Sequence, residues 1–143
     1  YFEVTRKVKF EKLIKIDHKL VFKEISNFEN YVNYVPGCSN AVLVERTNNY
    51  EVGKLEFNIL FKNYTITSKN YISDNKIKIE QIDGPFISFE GEWKVLEMDK
   101  NITKIVFTAS FELPRILNSL LSDKNIDLFF KSSLEGFVNK ISD

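Results

Sequence analysis

The chain has 143 residues, with twenty basic and twenty acidic side chains, one histidine and one cysteine. That length suits one domain burying well over half of its unfolded surface. Balanced charge gives no global field toward nucleic acid, and no DNA partner is expected. The lone Cys38 excludes an internal disulfide and a cysteine-based zinc site, and fits a reducing compartment.

In chain order, Val8, Phe10, Ile14 and Ile16 alternate with Lys and Glu between Val4 and Ile16, which predicts a long half-buried strand. Asp17 stands at an N-cap position, where its side chain would accept a backbone N–H. Leu20, Val21, Ile25 and Phe28 follow at helical spacing. A second short helix is expected over Glu29 to Tyr34. Val35-Pro36-Gly37 ends it, because Pro cannot continue a helix and Gly turns the chain. From Ser39 to Leu113 the period is two. Val42 and Val44 mark one strand, and Leu55, Phe57, Ile59 and Phe61 the next. Asn63-Tyr64 opens a third, Thr65 to Ile72, and Lys76 to Ile82 is a fourth with Ile77 and Ile79 on one face. Asn48-Asn49 and Ser73-Asp74-Asn75 supply turns. Connections this short imply antiparallel neighbours.

After the Gly84-Pro85 turn, Ile87, Phe89, Gly91, Trp93 and Val95 share one face, with Ser88, Glu90, Glu92 and Lys94 on the other. A glycine inside a strand marks a bend or a close approach. Gly91 sits between Phe89 and the only Trp, so its room serves either sheet curvature or a ligand. Asp99 to Thr103 turns into a last strand carrying Ile105, Phe107, Ala109, Phe111 and Leu113. Pro114 is expected in the first turn of the C-terminal helical region. There Ile116, Leu117, Leu120 and Leu121 form one apolar group, and Ser122 to Asn125 breaks or recaps the helix. Ile126, Phe129, Phe130, Leu134, Phe137, Val138 and Ile141 then make a wide stripe that must lie on the sheet. The fold class is α+β: a curved antiparallel sheet of about seven strands wrapped around a long C-terminal helix, one domain over residues 1–143.

Chemistry is sparse in this pattern. His18, the sole histidine, falls at a helix start, where an ordinary exposed role is expected. No metal-ligand spacing, phosphate loop or nucleophile elbow occurs. Glu56, Glu90, Glu92 and Glu112 fall opposite the apolar faces, so no inward acid–base pair is expected. Cys38 has no adjacent base and reads as a buried structural thiol. No apolar run approaches bilayer length.

Three segments carry a family resemblance: FENYVNYVPGC from Phe28 to Cys38, Gly84-Pro85-Phe86 followed by Phe89, Gly91 and Trp93, and VFTASFELPRILNSLL into the closing helix. Together with the element order they resemble the coenzyme Q-binding proteins and ribosome-association toxins of the polyketide cyclase/dehydrase group, within the START-like helix-grip superfamily. The chain departs from that pattern at Val32, where the family has Pro, and at Gly37, where it has an aromatic residue.

The resemblance implies a non-enzymatic carrier of ubiquinone or another isoprenoid lipid, supporting respiratory electron transfer with no further cofactor. The ligand would sit among Phe57, Ile59, Ile79, Phe89, Gly91, Trp93, Phe107 and Phe111 of the sheet and Leu134, Phe137 and Val138 of the closing helix. Taken without the resemblance, this set is also an ordinary core. Tyr34, Pro36 and Phe86 are expected at the pocket mouth, in transient contact with a membrane surface, with Lys62, Lys69 and Lys131 near headgroups. Tyr64, Thr65 and Gln81 are the candidates for holding the ligand head. The implied location is the cytoplasm or the inner membrane face of a bacterium, or the matrix side of a mitochondrion. A second reading is a toxin-like protein that binds ribosomal subunits, for which Lys7, Lys9, Lys12, Lys15, Lys19 and Lys23 would supply a basic face. A third is a polyketide cyclase or aromatase. It would need inward polar groups, and the alternation places almost none.

Overall fold

A computed structural model describes residues 5–59 and 61–142, Ile59 by its backbone alone. Seven strands are formed: β1 (Thr5–Ile14), β2 (Cys38–Arg46), β3 (Tyr50–Ile59), β4 (Lys62–Ser73), β5 (Lys76–Asp83), β6 (Ser88–Asp99) and β7 (Ile102–Glu112). They make one antiparallel sheet in the order β1-β7-β6-β5-β4-β3-β2. The two strands joined by the first helices therefore lie at opposite edges, and that connection must cross the sheet. Helix α1 (His18–Ile25) lies against β6 and β7, and the short 3-10 helix (Phe28–Asn33) lies against β2. Helix α2 (Arg115–Leu120) and helix α3 (Asp123–Ser142) follow the last strand.

Register explains why the crossing elements stay on one face. One row across the sheet runs Phe10, Phe107, Trp93, Ile77 and Ile72. The next runs Val8, Ala109, Gly91, Ile79, Asn70 and Glu51. Both rows point inward, so period-two alternation in each strand builds a continuous apolar surface under the helices. Phe130 of α3 stacks between Phe10, Phe107 and Phe111, at centroid distances of 6.5, 5.7 and 5.9 Å. Phe137 reaches Trp93 at 5.8 Å and Tyr34 at 5.5 Å. Polar ties lock the ends. Arg6 Nε donates to Asn118 Oδ1 (2.9 Å), its Nη2 to Asn118 O (2.7 Å), and its Nη1 lies 3.3 Å from Asp123 Oδ1. Thr103 Oγ1 donates to Ile16 O at 2.6 Å. Ser122 caps α3, its Oγ accepting the Asn125 N–H at 3.1 Å.

The structure corrects several local expectations. Asp17 is the N-cap residue of α1, but its side chain makes no capping bond. Its carbonyl takes the Leu20 and Val21 N–H groups, while its carboxylate turns to His18 Nδ1 at 3.3 Å. Pro114 sits at the N-cap of α2, one place before the first turn. Phe61 does not continue the apolar face of β3. It lies at the hairpin tip with φ 68°, fully exposed, because the strand has already ended at Ile59. Ile87 also lies outside its strand and is exposed, its N–H bound to Glu112 O before β6 begins. The apolar group on α2 splits: Leu117 is buried, whereas Ile116 and Leu120 are exposed. Phe129 of the α3 stripe is exposed too, set edge-on to Phe130.

Candidate functional site

The site is the concave face of the sheet and what lies over it. Trp93, Phe107, Phe111, Leu134 and Phe137 are buried there, and Phe89, Phe86, Ile79 and Val138 pack against them half-buried. Phe89 stacks on Phe111 at 6.0 Å, and Phe86 meets both, at 5.1 and 5.6 Å. Much of the expected lining is thus mutually packed aromatic surface. Gly91 belongs to this set: a Cβ there would meet Phe89 Cε1 at 3.3 Å and Phe107 Cζ at 3.6 Å. Neighbouring rings use the room it provides. The side chain of Ile59 lies outside the described residues.

Further along the face the packing thins. Leu55, Phe57, Tyr64, Ile72 and Ile79 share the inward parity yet stay only half-buried. Phe57 and Tyr64 stack at 6.0 Å, and Lys62 Nζ sits 5.6 Å from the Tyr64 ring centroid. Two open clefts lie outside the concavity. One of about 430 Å³ is on the convex side over Gly91 and Ala109, among Lys7, Lys9 and Lys78. The other, about 520 Å³, separates β1 from α3 beside Phe10, Leu128 and Lys131.

The expectation of almost no inward polar groups is wrong. Glu51, Ser68 and Asn70 are buried at 6, 4 and 7% exposure on the inward parity of β3 and β4. Continuing the apolar parity of Leu55 back through Gly53, and of Ile66 on through Ile72, reaches all three. They escaped notice because polar residues do not announce a face. Ser68 Oγ donates to Asn70 Oδ1 at 3.0 Å, and Arg46 Nε and Nη2 donate to Glu51 Oε2 at 3.1 and 3.0 Å. Of the head candidates, Thr65 is exposed. Gln81 is spoken for by Phe86, donating to its carbonyl at 2.8 Å and accepting its N–H at 3.1 Å. Tyr64 remains, under Lys62.

Above this floor the 3-10 helix and its C-cap residue present two tyrosines, Tyr31 and Tyr34. Tyr31 Oη donates to Ile25 O at 2.8 Å. Burial raises its pKa first, the Glu51 charge next, and a hydrogen bond with Trp93 partly opposes them. Tyr34 is raised by burial, then by Tyr31 and Glu24. Both phenols stay protonated in folded and unfolded chains below pH about 10. Above it the unfolded chain ionises while the folded one resists, so stability falls as pH rises. Urea midpoints are therefore expected to hold from pH 7 to 9 and drop beyond 10. The Tyr31→Phe/Tyr34→Phe double variant should flatten that drop; an unchanged slope would refute the assignment.

The remaining candidates are placed as follows. Pro36 is exposed in the loop after the 3-10 helix. Gly37 has φ 76° there, and its carbonyl accepts the Asn58 N–H at 3.1 Å, so the family's aromatic residue would be strained on this backbone. Cys38 is half-buried rather than buried; burial raises its pKa and its thiol donates to Asn40 O at 3.5 Å, which leaves it a poor nucleophile. His18 is half-buried rather than exposed, its Nδ1 2.9 Å from Glu97 Oε2. Lys69 covers Tyr50 and Tyr71 on the convex side, at 4.1 and 5.3 Å. Among the described residues no group of His, Cys, Asp and Glu is arranged to hold a metal, and no helix is long and apolar enough to cross a membrane.

Comparison with known proteins places this arrangement. The Zhui aromatase/cyclase from Streptomyces sp. R1128 superposes with a TM-score of 0.84 at 17% identity, covering 97% of this chain and 94% of its own. A START superfamily protein from Mycobacterium smegmatis gives 0.74 at 14% identity, over 93% and 92%. In sequence, the ribosome association toxin RatA of Vibrio cholerae is 23% identical over 129 residues, 90% of each chain. The persistence and stress-resistance toxin PasT of Escherichia coli is 23% identical over 109 residues, 76% of this chain and 69% of that one. The family described as polyketide cyclase / dehydrase and lipid transport matches residues 14–129. A seven-stranded grip around a closing helix, with that match over most of its length, makes this chain a member of the polyketide cyclase / dehydrase and lipid transport family.

Proposed function

We propose that this protein is a non-enzymatic carrier of an isoprenoid quinone, ubiquinone or a close relative, held between the sheet and α3. The observation that carries the reading is the half-buried strip of Leu55, Phe57, Tyr64, Ile72 and Ile79. It lies inside the grip, while the rings of α3 rest on β1, β6 and β7. An apolar guest there would gain roughly 25 cal/mol per Å² of buried tail before binding costs. Protein purified from a quinone-producing host is expected to yield a stoichiometric isoprenoid quinone on solvent extraction and mass spectrometry. An empty protein that takes up no added quinone would overturn the reading.

Delivery would occur at the end of the sheet where β3, β5 and β7 finish. Topology gathers Phe61, Ile87, Ile116 and Leu120 there, exposed at 101, 57, 74 and 57%, with Lys62 and Arg115 beside them. Exposed apolar groups of this kind mark contact surfaces. The Phe61→Asp variant should lose most binding to anionic vesicles in flotation assays while its melting temperature stays unchanged, since Phe61 contributes no buried surface. Undiminished flotation would remove this face from the mechanism.

The likeness to RatA supports a second reading, association with ribosomal subunits. Lys7, Lys12, Lys15, Lys19 and Lys23 are exposed, with no carboxylate within 4.0 Å among the described residues. Co-sedimentation with subunits that weakens steeply with salt would favour it over the carrier.

A further inference from the structure

Tyr34 is held inside the protein with its polar end unused. It is 9% exposed, and its hydroxyl is closed to solvent with no hydrogen-bond partner among the described residues. Arg6 Nη1 is the other atom in that condition, and it has Asp123 at 3.3 Å. Leaving a buried hydroxyl unpaired is destabilising, a penalty that Phe would avoid with the same ring. The ring is fixed as well. Tyr31 lies at 5.5 Å, Phe137 at 5.5 Å, and Gly136 of α3 lets the Tyr34 backbone come close: a Cβ there would stand 2.9 Å from Tyr34 O.

The surroundings restrict what could accept from this hydroxyl. Tyr34 lies 5.5 Å from Tyr31, Tyr31 packs at 5.3 Å on Phe28, and Phe28 lies over Gly53, which sets both phenols beside the stretch of β3 and β4 where Glu51 pairs with Asn70 and Ser68 bonds Asn70. Two carboxylates, Glu24 and Glu51, act on the tyrosine pair, and the Arg46 partner of Glu51 is itself exposed. A carboxylate or phosphate head would meet two like charges here. A neutral carbonyl oxygen would not.

We propose, building on the carrier reading, that this polar cluster is the head-group site for the carried lipid, and that it selects a neutral carbonyl, a quinone oxygen, which accepts the hydrogen bond of the Tyr34 hydroxyl. Fatty acids and phospholipids are disfavoured by Glu24 and Glu51. Selectivity then lies in the head, while the tail is held by area alone.

The test uses the full chain, with Trp93 fluorescence reporting binding. Decylubiquinone, decylbenzene and decanoate share tail length and differ in head. Wild type is expected to bind decylubiquinone in preference to both others. Tyr34→Phe should bind decylubiquinone roughly fivefold to tenfold more weakly, bind decylbenzene unchanged, and melt at or above the wild-type temperature. Tyr31→Phe, which loses a made bond to Ile25, should melt lower. Equal quinone affinity in Tyr34→Phe, or a preference for decanoate in wild type, overturns the head-group site and leaves the carrier reading standing. Failure of wild type to bind either decylubiquinone or decylbenzene overturns both.

Discussion

Replacing Phe137 with alanine is expected to remove about 3–5 kcal/mol of stability, a large share of the roughly 5–15 kcal/mol that holds a domain together. The side chain is 0% exposed, and its ring joins α3 to both Trp93 and Tyr34. Losing the ring removes its transfer energy and leaves a void the rigid sheet cannot close. A chain of this size should melt roughly 10 °C lower. The sole tryptophan sits at the contact, so urea titration followed by its fluorescence reads the change directly. Phe137→Leu, which keeps most of the volume, should lose less than half as much. A cost below 1 kcal/mol for the alanine variant would mean that α3 is anchored elsewhere. On the carrier reading proposed above, quinone should also dissociate faster from the alanine variant, because the closing helix is loosened.

Gly53→Ala should be nearly as damaging despite adding one methyl group. That Cβ would lie 2.4 Å from Phe28 Cε1 and 2.5 Å from its Cζ. The ring of Phe28 is buried against β3 and set at a tilt to Tyr31 at 5.3 Å, so it cannot swing aside without leaving its place. Displacing a buried Phe costs about 2–3 kcal/mol, and the 3-10 helix that carries Tyr31 and ends at Tyr34 would shift with it. A double-mutant cycle isolates the contact. Gly53→Ala combined with Phe28→Leu should be clearly less destabilised than the sum of the two single variants. Strict additivity would show that the clash relaxes without moving the helix.

The two predictions share a cause. Phe137 fastens α3, and Gly53 seats the 3-10 helix, on the concave face. The connection from β1 to β2 has to traverse the whole sheet. Its 3-10 helix therefore lies against β2, with Phe28 over Gly53 of β3. On the carrier reading, small changes there should reach ligand retention as well as stability.

The order of elements along the chain and the apolar faces of β1, β5, β6, β7 and α3 were legible in the sequence, whereas the pairing of β1 with β7 was not. Alternation and helical spacing report on burial of each element separately, and here burial and element type agree. The turn at Val35-Pro36-Gly37 and the cap region at Ser122 were legible too, because backbone chemistry there is local. What the linear pattern could not decide depends on which residues meet across the sheet. Gly91 read as room for curvature or for a ligand; the register gives that room to the Phe89 and Phe107 rings. Gly53 drew no notice, yet Phe28 lies directly over it. Glu51, Ser68 and Asn70 looked like ordinary strand polarity until β3 and β4 were paired and their parity followed under the 3-10 helix. Phe61 looked like the end of an apolar face, but the hairpin had already turned. An element's own sequence encodes its buried side, whereas contacts between distant elements exist only once the chain is closed, and the candidate head-group site consists of such contacts.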